Sequence, residues 1–293
     1  MPHKGWAATA LAFNALVWGV SWWPFRELQS HGLHPLWATA LIYAFCLLCL
    51  LTLKPRAGRR FLQHPALWWL VLAAGLTNVG FNWAVTVGDV VRVVLLFYLM
   101  PAWAVLLAWA LLGEKPSSAS LLRLALALTG VVIVLKTPGS PWPVPESLAD
   151  ALALMGGFSF ALTNVLLRKL NQTPSEARML AMFGGGAVMA TLVAVAGIGL
   201  GLGGIAPPPA PGLAWAALAL FISLAFLAGN LALQYGAARL SASATSLIML
   251  SEVVFASLSS VLLGASELTG RTLLGGSLIV IAALLAVLSH RRA

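Results

Sequence analysis

One carboxylate stands near the middle of a long apolar stretch, residues 241–263. This acid, Glu252, shares one helical face with Thr245, Met249 and Ser259. The stretch is long enough to cross a bilayer as a helix, for which about 20 residues suffice. A charge at that depth is costly, so the acid is a candidate site for a proton or a substrate. The alternative is a neutral acid that is hydrogen-bonded to a neighbouring helix.

Amides, hydroxyls and aromatic rings recur at helical spacing in the other apolar runs. Amides could bind the ammonium and carboxylate groups of a zwitterion, whereas aromatic rings could stack on its side chain. The alternative for the amides is hydrogen bonding between helices. With Glu252, the candidate substrate-binding residues are Asn14, Trp18, Ser21, Asn78, Asn82, Phe97, Tyr98, Phe160, Thr163, Asn164, Asn230, Gln234 and Met249.

Pro101 lies near the middle of the fourth apolar run. Proline removes one helical hydrogen bond and clashes with the carbonyl four residues earlier, here that of Phe97. Freed carbonyls inside a membrane are tolerated only against protein or water. We therefore expect Pro101 to be a hinge, with Phe97 and Tyr98 beside it. A purely structural kink is the alternative.

The sequence gives little support for catalysis. It contains no H-E-x-x-H motif and no Walker loop, and every histidine lies outside or at the edge of an apolar run. Cys46 and Cys49 form a C-x-x-C inside an apolar run, where thiolate chemistry is disfavoured. We expect no enzymatic activity, no metal and no cofactor. A channel is the remaining class besides a carrier.

The amino-acid composition indicates that these apolar runs lie in lipid rather than in water. The 293 residues are 60% hydrophobic and 9% charged, whereas soluble domains carry roughly 25% charged residues. The sequence therefore predicts an all-α polytopic membrane protein. Ten apolar runs are long enough for transmembrane helices, at roughly 7–28, 36–53, 66–88, 91–112, 118–136, 147–168, 177–201, 213–236, 242–263 and 271–289.

The basic residues lie between these runs, so they indicate orientation rather than nucleic-acid binding. With the N-terminus inside, the inner segments hold 12 Lys and Arg residues and the outer segments hold 4. We therefore expect a multi-pass protein of the cell (inner) membrane with both termini in the cytoplasm. The four outer residues are Arg26, Arg92, Lys136 and Arg271.

The two halves of the chain are similar to each other. Residues 18–22 and 160–164 align at an offset of 142, and Asn82 aligns with Asn230 at 148. Residues 100–114 then align with 252–267. We expect two five-helix repeats, residues 1–140 and 141–293. Because five is odd, the repeats enter the membrane in opposite senses, as in many secondary transporters.

The motif Leu99, Pro101 and Leu111-Leu112-Gly113-Glu114, echoed by residues 252–267, resembles the EamA branch of the drug/metabolite transporter superfamily. Within it, the chain is most similar to the YddG-type amino-acid exporters. The resemblance implies that spans 1, 3, 4, 6, 8 and 9 surround a central cavity, with spans 5 and 10 packed behind. It also implies export of aromatic and other neutral amino acids. Val253 stands where the family often has proline, so the ninth span is expected to be less kinked than the fourth.

We therefore expect a secondary transporter that exports amino acids or similar small metabolites by alternating access. Export of drugs or other metabolites is the alternative, and a channel is a weaker one. The expected partners are a small-molecule substrate and the lipid bilayer, with no nucleic acid and no assigned oligomeric state. Both proton coupling through Glu252 and uniport are compatible with the sequence.

Overall fold

The structure, a computed structural model, describes residues 2–113, 115–136, 145–201, 204–210, 212–237, 239, 248–249 and 251–289. Every regular element in this part of the chain is a helix. The helices are α1 (Pro2–Val20), α2 (Trp22–Ser30), α3 (Pro35–Leu53), α4 (Ala57–Leu62), α5 (Leu67–Val87), α6 (Val90–Phe97), α7 (Met100–Leu112), α8 (Ser118–Leu135), α9 (Leu148–Lys169), α10 (Ser175–Gly199), α11 (Leu213–Ala237), α12 (Ser251–Leu262) and α13 (Gly270–Ser289).

Six of the described helices are long and apolar enough to cross a membrane, with α6 and α7 counted as one span. They are Pro35–Leu53, Leu67–Val87, Val90–Leu112, Leu148–Lys169, Ser175–Gly199 and Leu213–Leu233. Shorter apolar helices cover Leu121–Val134, Ser251–Leu262 and Gly270–Ala282. The polytopic helical fold is confirmed, and the count of ten spans stays a prediction.

Two of the expected spans are interrupted, and each break lies four residues before a proline. The fourth run divides between α6, which ends at Phe97, and α7, which carries Pro101 in its first turn. The first run, expected to be one helix, divides at Ser21 into α1, which ends at Val20, and α2, which carries Pro24. Val20 lies four residues before Pro24. A proline ring clashes with the carbonyl at that distance, which explains both positions.

Glycines allow the central helices to approach closely. A β-carbon on Gly75 of α5 would lie 2.6 Å from the Gly185 carbonyl oxygen of α10. One on Gly80 would lie 2.9 Å from Cα of Gly156 on α9. Small residues at such crossings are the usual means of packing helices in lipid. Helix α5 is thereby held between α9 and α10.

The packing between the two halves is symmetric. Helix α5 packs on α9 and α10, and its counterpart α11 packs on α1 and α3. Helices α6 and α7 pack on α9, and their counterpart α12 packs on α1. Equivalent helices also meet each other, in the pairs α3–α10, α6–α12 and α8–α13.

The same contacts give the relative direction of the helices. Gly80 faces Gly156 and Gly88 faces Ala149, so α5 and α9 run antiparallel. In the equivalent pair, Gly229 faces Asn14 and Gly236 faces Ala7, so α11 and α1 also run antiparallel. The third expected span of each half, α5 or α11, therefore runs antiparallel to the first expected span of the other half, α9 or α1.

Candidate functional site

Aromatic rings from five helices meet in the middle of the packed bundle. Trp18 of α1 packs edge-on against Phe226 of α11 and Phe81 of α5, with ring centroids 4.6 Å and 6.0 Å away. Phe97 of α6 lies 4.7 Å from Phe81 and 5.5 Å from Phe160 of α9. We call these five rings the aromatic cluster. Both halves of the chain contribute to it.

Glu252 lies beside this cluster. The Tyr98 hydroxyl donates a hydrogen bond to Oε2 of Glu252 at 3.1 Å, and it also lies 3.4 Å from the Met249 carbonyl oxygen. The Tyr98 ring adjoins that of Phe97. Glu252 is 9% exposed, and among the described residues no Lys or Arg forms an ion pair with it. The site thus combines one buried carboxyl group with aromatic faces.

Two glycines and two helix ends position these side chains. A β-carbon on Gly19 would lie 2.8 Å from the Glu252 carbonyl oxygen, which places the start of α12 directly against α1. Gly157 lets α9 approach the Phe97 carbonyl in the same way. Tyr98 caps the end of α6, and its hydroxyl reaches α12.

The amides of α5 face a different direction. Asn78 accepts a hydrogen bond from the Tyr43 hydroxyl of α3, and Nδ2 of Asn82 donates to Thr39 of the same helix at 3.1 Å. These bonds correspond to the alternative of pairing between helices. Substrate binding by Asn78 and Asn82 stays a prediction.

Three other predicted polar residues are buried in the bundle. Asn14 is completely buried, and neither of its amide atoms has a partner within the described part of the chain. The hydroxyl of Thr163 is likewise buried without a described partner. Buried polar groups are normally hydrogen-bonded, so both positions are unusual. Substrate binding by Asn14 and Thr163 stays a prediction. Ser21 instead donates to the Trp18 carbonyl of its own helix at 2.8 Å.

The remaining predicted residues lie away from the cluster or outside the described side chains. Asn230 is half-buried and donates to the Phe226 carbonyl of its own helix, whereas Asn164 is exposed. The side chain of Gln234 lies outside the described part of the chain. Residues 240–247 also lie outside it. The smaller kink expected in the ninth span from Val253 therefore stays a prediction. The helix break before Pro101 is present, and its action as a hinge stays a prediction.

Sequence reasoning missed several contributors. Phe81 lies one helical turn from Asn78, so its position on the inner face was detectable from spacing. Tyr43 and Thr39 gave no such signal, because a hydroxyl in an apolar run is unremarkable until its partner is known. Arg92 was expected only as an orientation signal, and its partner Asp150 was not expected at all.

Arg92 and Asp150 form an ion pair between the two halves. Nε and Nη2 of Arg92 donate to the two carboxylate oxygens of Asp150 at 2.7 Å and 2.9 Å. Nη1 donates to the Val134 carbonyl at 2.6 Å. A polar cavity of about 350 Å³, lined by Asp89, Arg92 and Glu267 among others, lies at this end of the bundle rather than at Glu252. We place the candidate site at Glu252, where the aromatic rings and the carboxyl group meet.

The fold and the site define a multi-pass helical membrane protein built from two related halves. The chain belongs to the EamA-like transporter family, whose family model matches residues 5–136 and 147–288. It is therefore a membrane transporter of small substrates rather than a typical enzyme, and its partners are a small molecule and lipid. The two matched segments show that the chain is built from two repeats. The five helices of each repeat and the bounds 1–140 and 141–293 stay predictions.

Comparisons with individual proteins support the fold and nothing beyond it. No curated protein matches the chain. A solved structure described only as "Crystal structure of protein" is 24% identical, with a TM-score of 0.57. The match covers 97% of this chain and 98% of that one. The architecture therefore extends over the whole of both chains.

Proposed function

We propose that the protein is a secondary transporter that exports amino acids, aromatic and other neutral ones, or closely similar metabolites. The observation that carries this proposal is the Glu252–Tyr98 hydrogen bond beside the aromatic cluster. A carboxyl group next to aromatic rings matches the ammonium group and the side chain of such a substrate. Because both halves supply these residues, a motion between the halves would open and close the site.

Glu252 and Tyr98 hold the ammonium group of the substrate, and the aromatic cluster holds its side chain. The unpartnered amide of Asn14 offers a further polar contact.

Alternating access follows from an inverted arrangement of the two repeats. The antiparallel pairs α5–α9 and α11–α1 support the inversion, and so do the symmetric contacts between the halves. The excess of basic residues in the inner connections supports an inner-membrane location with both termini in the cytoplasm.

One observation favours a second substrate class. Glu252 has no described cation partner, so a zwitterion would leave a net negative charge in the site, whereas an organic ammonium compound would neutralise it. Aromatic faces stabilise such cations further. Export of lipophilic amines or similar drugs is therefore the second candidate.

The test is uptake of labelled substrates into proteoliposomes by the wild type and by Glu252→Gln. Losing a charged hydrogen bond to the substrate should raise KM by about tenfold or more, since such bonds contribute about 1.5–3 kcal/mol. Glu267→Gln, which removes an exposed acid, is the matched control and should transport normally.

Two further experiments separate the proposals. Amino acids and the corresponding amines without the carboxylate should both be tested, because preferred uptake of the amine supports the second candidate. An imposed pH gradient tests proton coupling, which Glu252→Gln should abolish if that residue carries the proton. Unaltered transport of every substrate by Glu252→Gln would remove Glu252 from the mechanism.

A further inference from the structure

A cluster of exposed cations surrounds the short helix α4, which connects α3 to α5. Lys54, Arg56 and Arg59 are all exposed. Within the described part of the chain, none of the three has a carboxylate partner. We call these residues the basic patch. Three unpaired positive charges within six residues create a local positive field that attracts anions.

The patch is held in a fixed position. Ala57 and Phe61, one turn apart on α4, are buried, and Phe61 belongs to an apolar cluster with residues of α5, α9 and α10. The Phe61 ring packs edge-on against Trp68, with centroids 5.0 Å apart. The fourth cation, Arg60, forms an ion pair with Glu176 at the start of α10. These contacts turn the basic patch away from the protein.

Large apolar side chains border the patch. Leu53 and Leu62 are 73% and 71% exposed, and Trp68 and Trp69 are 59% and 65% exposed. Exposed tryptophans at the end of a transmembrane helix are typical of the membrane–water interface. The patch therefore combines cations at headgroup level with an apolar border at the depth of the acyl chains.

We propose that the basic patch is a binding site for an anionic phospholipid, with the phosphate between the three cations and the acyl chains along Leu62, Trp68 and Trp69. Clusters of basic residues beside a transmembrane helix attract anionic headgroups, and the aromatic rings fix the depth. This inference does not depend on what the protein transports or on which leaflet holds α4.

Orientation accounts for the presence of basic residues at this connection but not for their geometry. In an inverted arrangement the equivalent connection in the second half, residues 200–212, lies on the other side of the membrane, and it contains no Lys or Arg. Orientation signals need no fixed geometry, because they act by number and by proximity to the span. Here Arg59 lies on a packed helix, Lys54 and Arg56 come just before that helix, and two exposed tryptophans follow it.

The test is native mass spectrometry of the full-length protein, titrated with phosphatidylglycerol or with phosphatidylcholine of the same acyl chains. The wild type should bind phosphatidylglycerol more tightly. The triple variant Lys54→Gln, Arg56→Gln, Arg59→Gln should bind it about tenfold or more weakly, since each basic residue contributes up to roughly fivefold. Binding of phosphatidylcholine should not change.

The matched control removes three other cations: Arg168→Gln, Lys169→Gln, Arg239→Gln. Arg168 and Lys169 are exposed at the end of α9, on the same side of the bundle as α4. This variant should keep wild-type affinity for phosphatidylglycerol within about twofold. An equal loss in both triple variants, or no lipid preference in the wild type, would overturn the proposal. Thermal unfolding in phosphatidylcholine verifies that both variants are folded.

Discussion

The ion pair between Arg92 and Asp150 should be the strongest single polar contact between the two repeats. Its two hydrogen bonds, at 2.7 Å and 2.9 Å, join α6 to α9 in the bidentate geometry that suits arginine and carboxylate. The Asp150 side chain is 3% exposed and that of Arg92 is 22% exposed. Removing either residue leaves the other charge without its partner.

The magnitude differs between the two single variants. Arg92→Gln leaves a buried carboxylate, so we expect a loss of about 3–5 kcal/mol in the free energy of unfolding. Asp150→Asn leaves a guanidinium that still donates to Val134 and that is partly exposed. The expected loss is then smaller, about 1–3 kcal/mol.

The assay is reversible unfolding in mixed micelles, with the double variant Arg92→Gln, Asp150→Asn to complete a cycle. Removing both charges should recover much of the loss, because neither charge is then left uncompensated. We expect a coupling energy of about 2 kcal/mol or more. Additive losses, or single variants as stable as the wild type, would refute the reasoning.

Four further variants test packing, hydrogen bonding and protonation. Gly75→Val should destabilise by about 1–3 kcal/mol through overpacking against α10, whereas Gly184→Val, whose β-carbon meets nothing within 4 Å, should be nearly neutral on thermal unfolding. Trp22→Phe removes the 2.9 Å bond to Ser259 and should cost about 1 kcal/mol in the same assay. Burial lowers the pKa of His34 below 6.5. The contribution of His34 to stability is therefore present above that pH and is lost as the pH falls. His34→Asn should flatten the dependence of thermal stability on pH between about pH 7 and pH 5.

The sequence predicted those parts of the fold that depend on local patterns. The apolar runs and the interruption before Pro101 each follow from residues close together in the chain, and the division into repeats follows from the similarity of two such sets of segments. The break at Ser21 has the same cause, Pro24, and the same four-residue rule would have located it. Long-range partners could not be predicted, because Arg92 and Asp150 are 58 residues apart.

Only part of the candidate site was predicted, because the rest also depends on contacts between residues that are distant in the chain. Glu252 is conspicuous because an acid in an apolar run is costly wherever the run packs. Asn78 and Asn82 are also costly to bury, and hydroxyls on α3 meet part of that cost, in an orientation that depends on how α3 and α5 cross. Oδ1 of Asn82 has no partner within the described part of the chain. Phe81 became a site residue only when Trp18 and Phe97 were found on either side of it.

Counterflow in proteoliposomes tests the central claim that this transporter works as an alternating-access carrier. Vesicles preloaded with unlabelled substrate should take up the labelled substrate faster than empty vesicles, and the rate should saturate, because one site is exposed to each side in turn. Uptake that rises linearly with concentration and ignores the internal substrate would identify a channel and contradict the account.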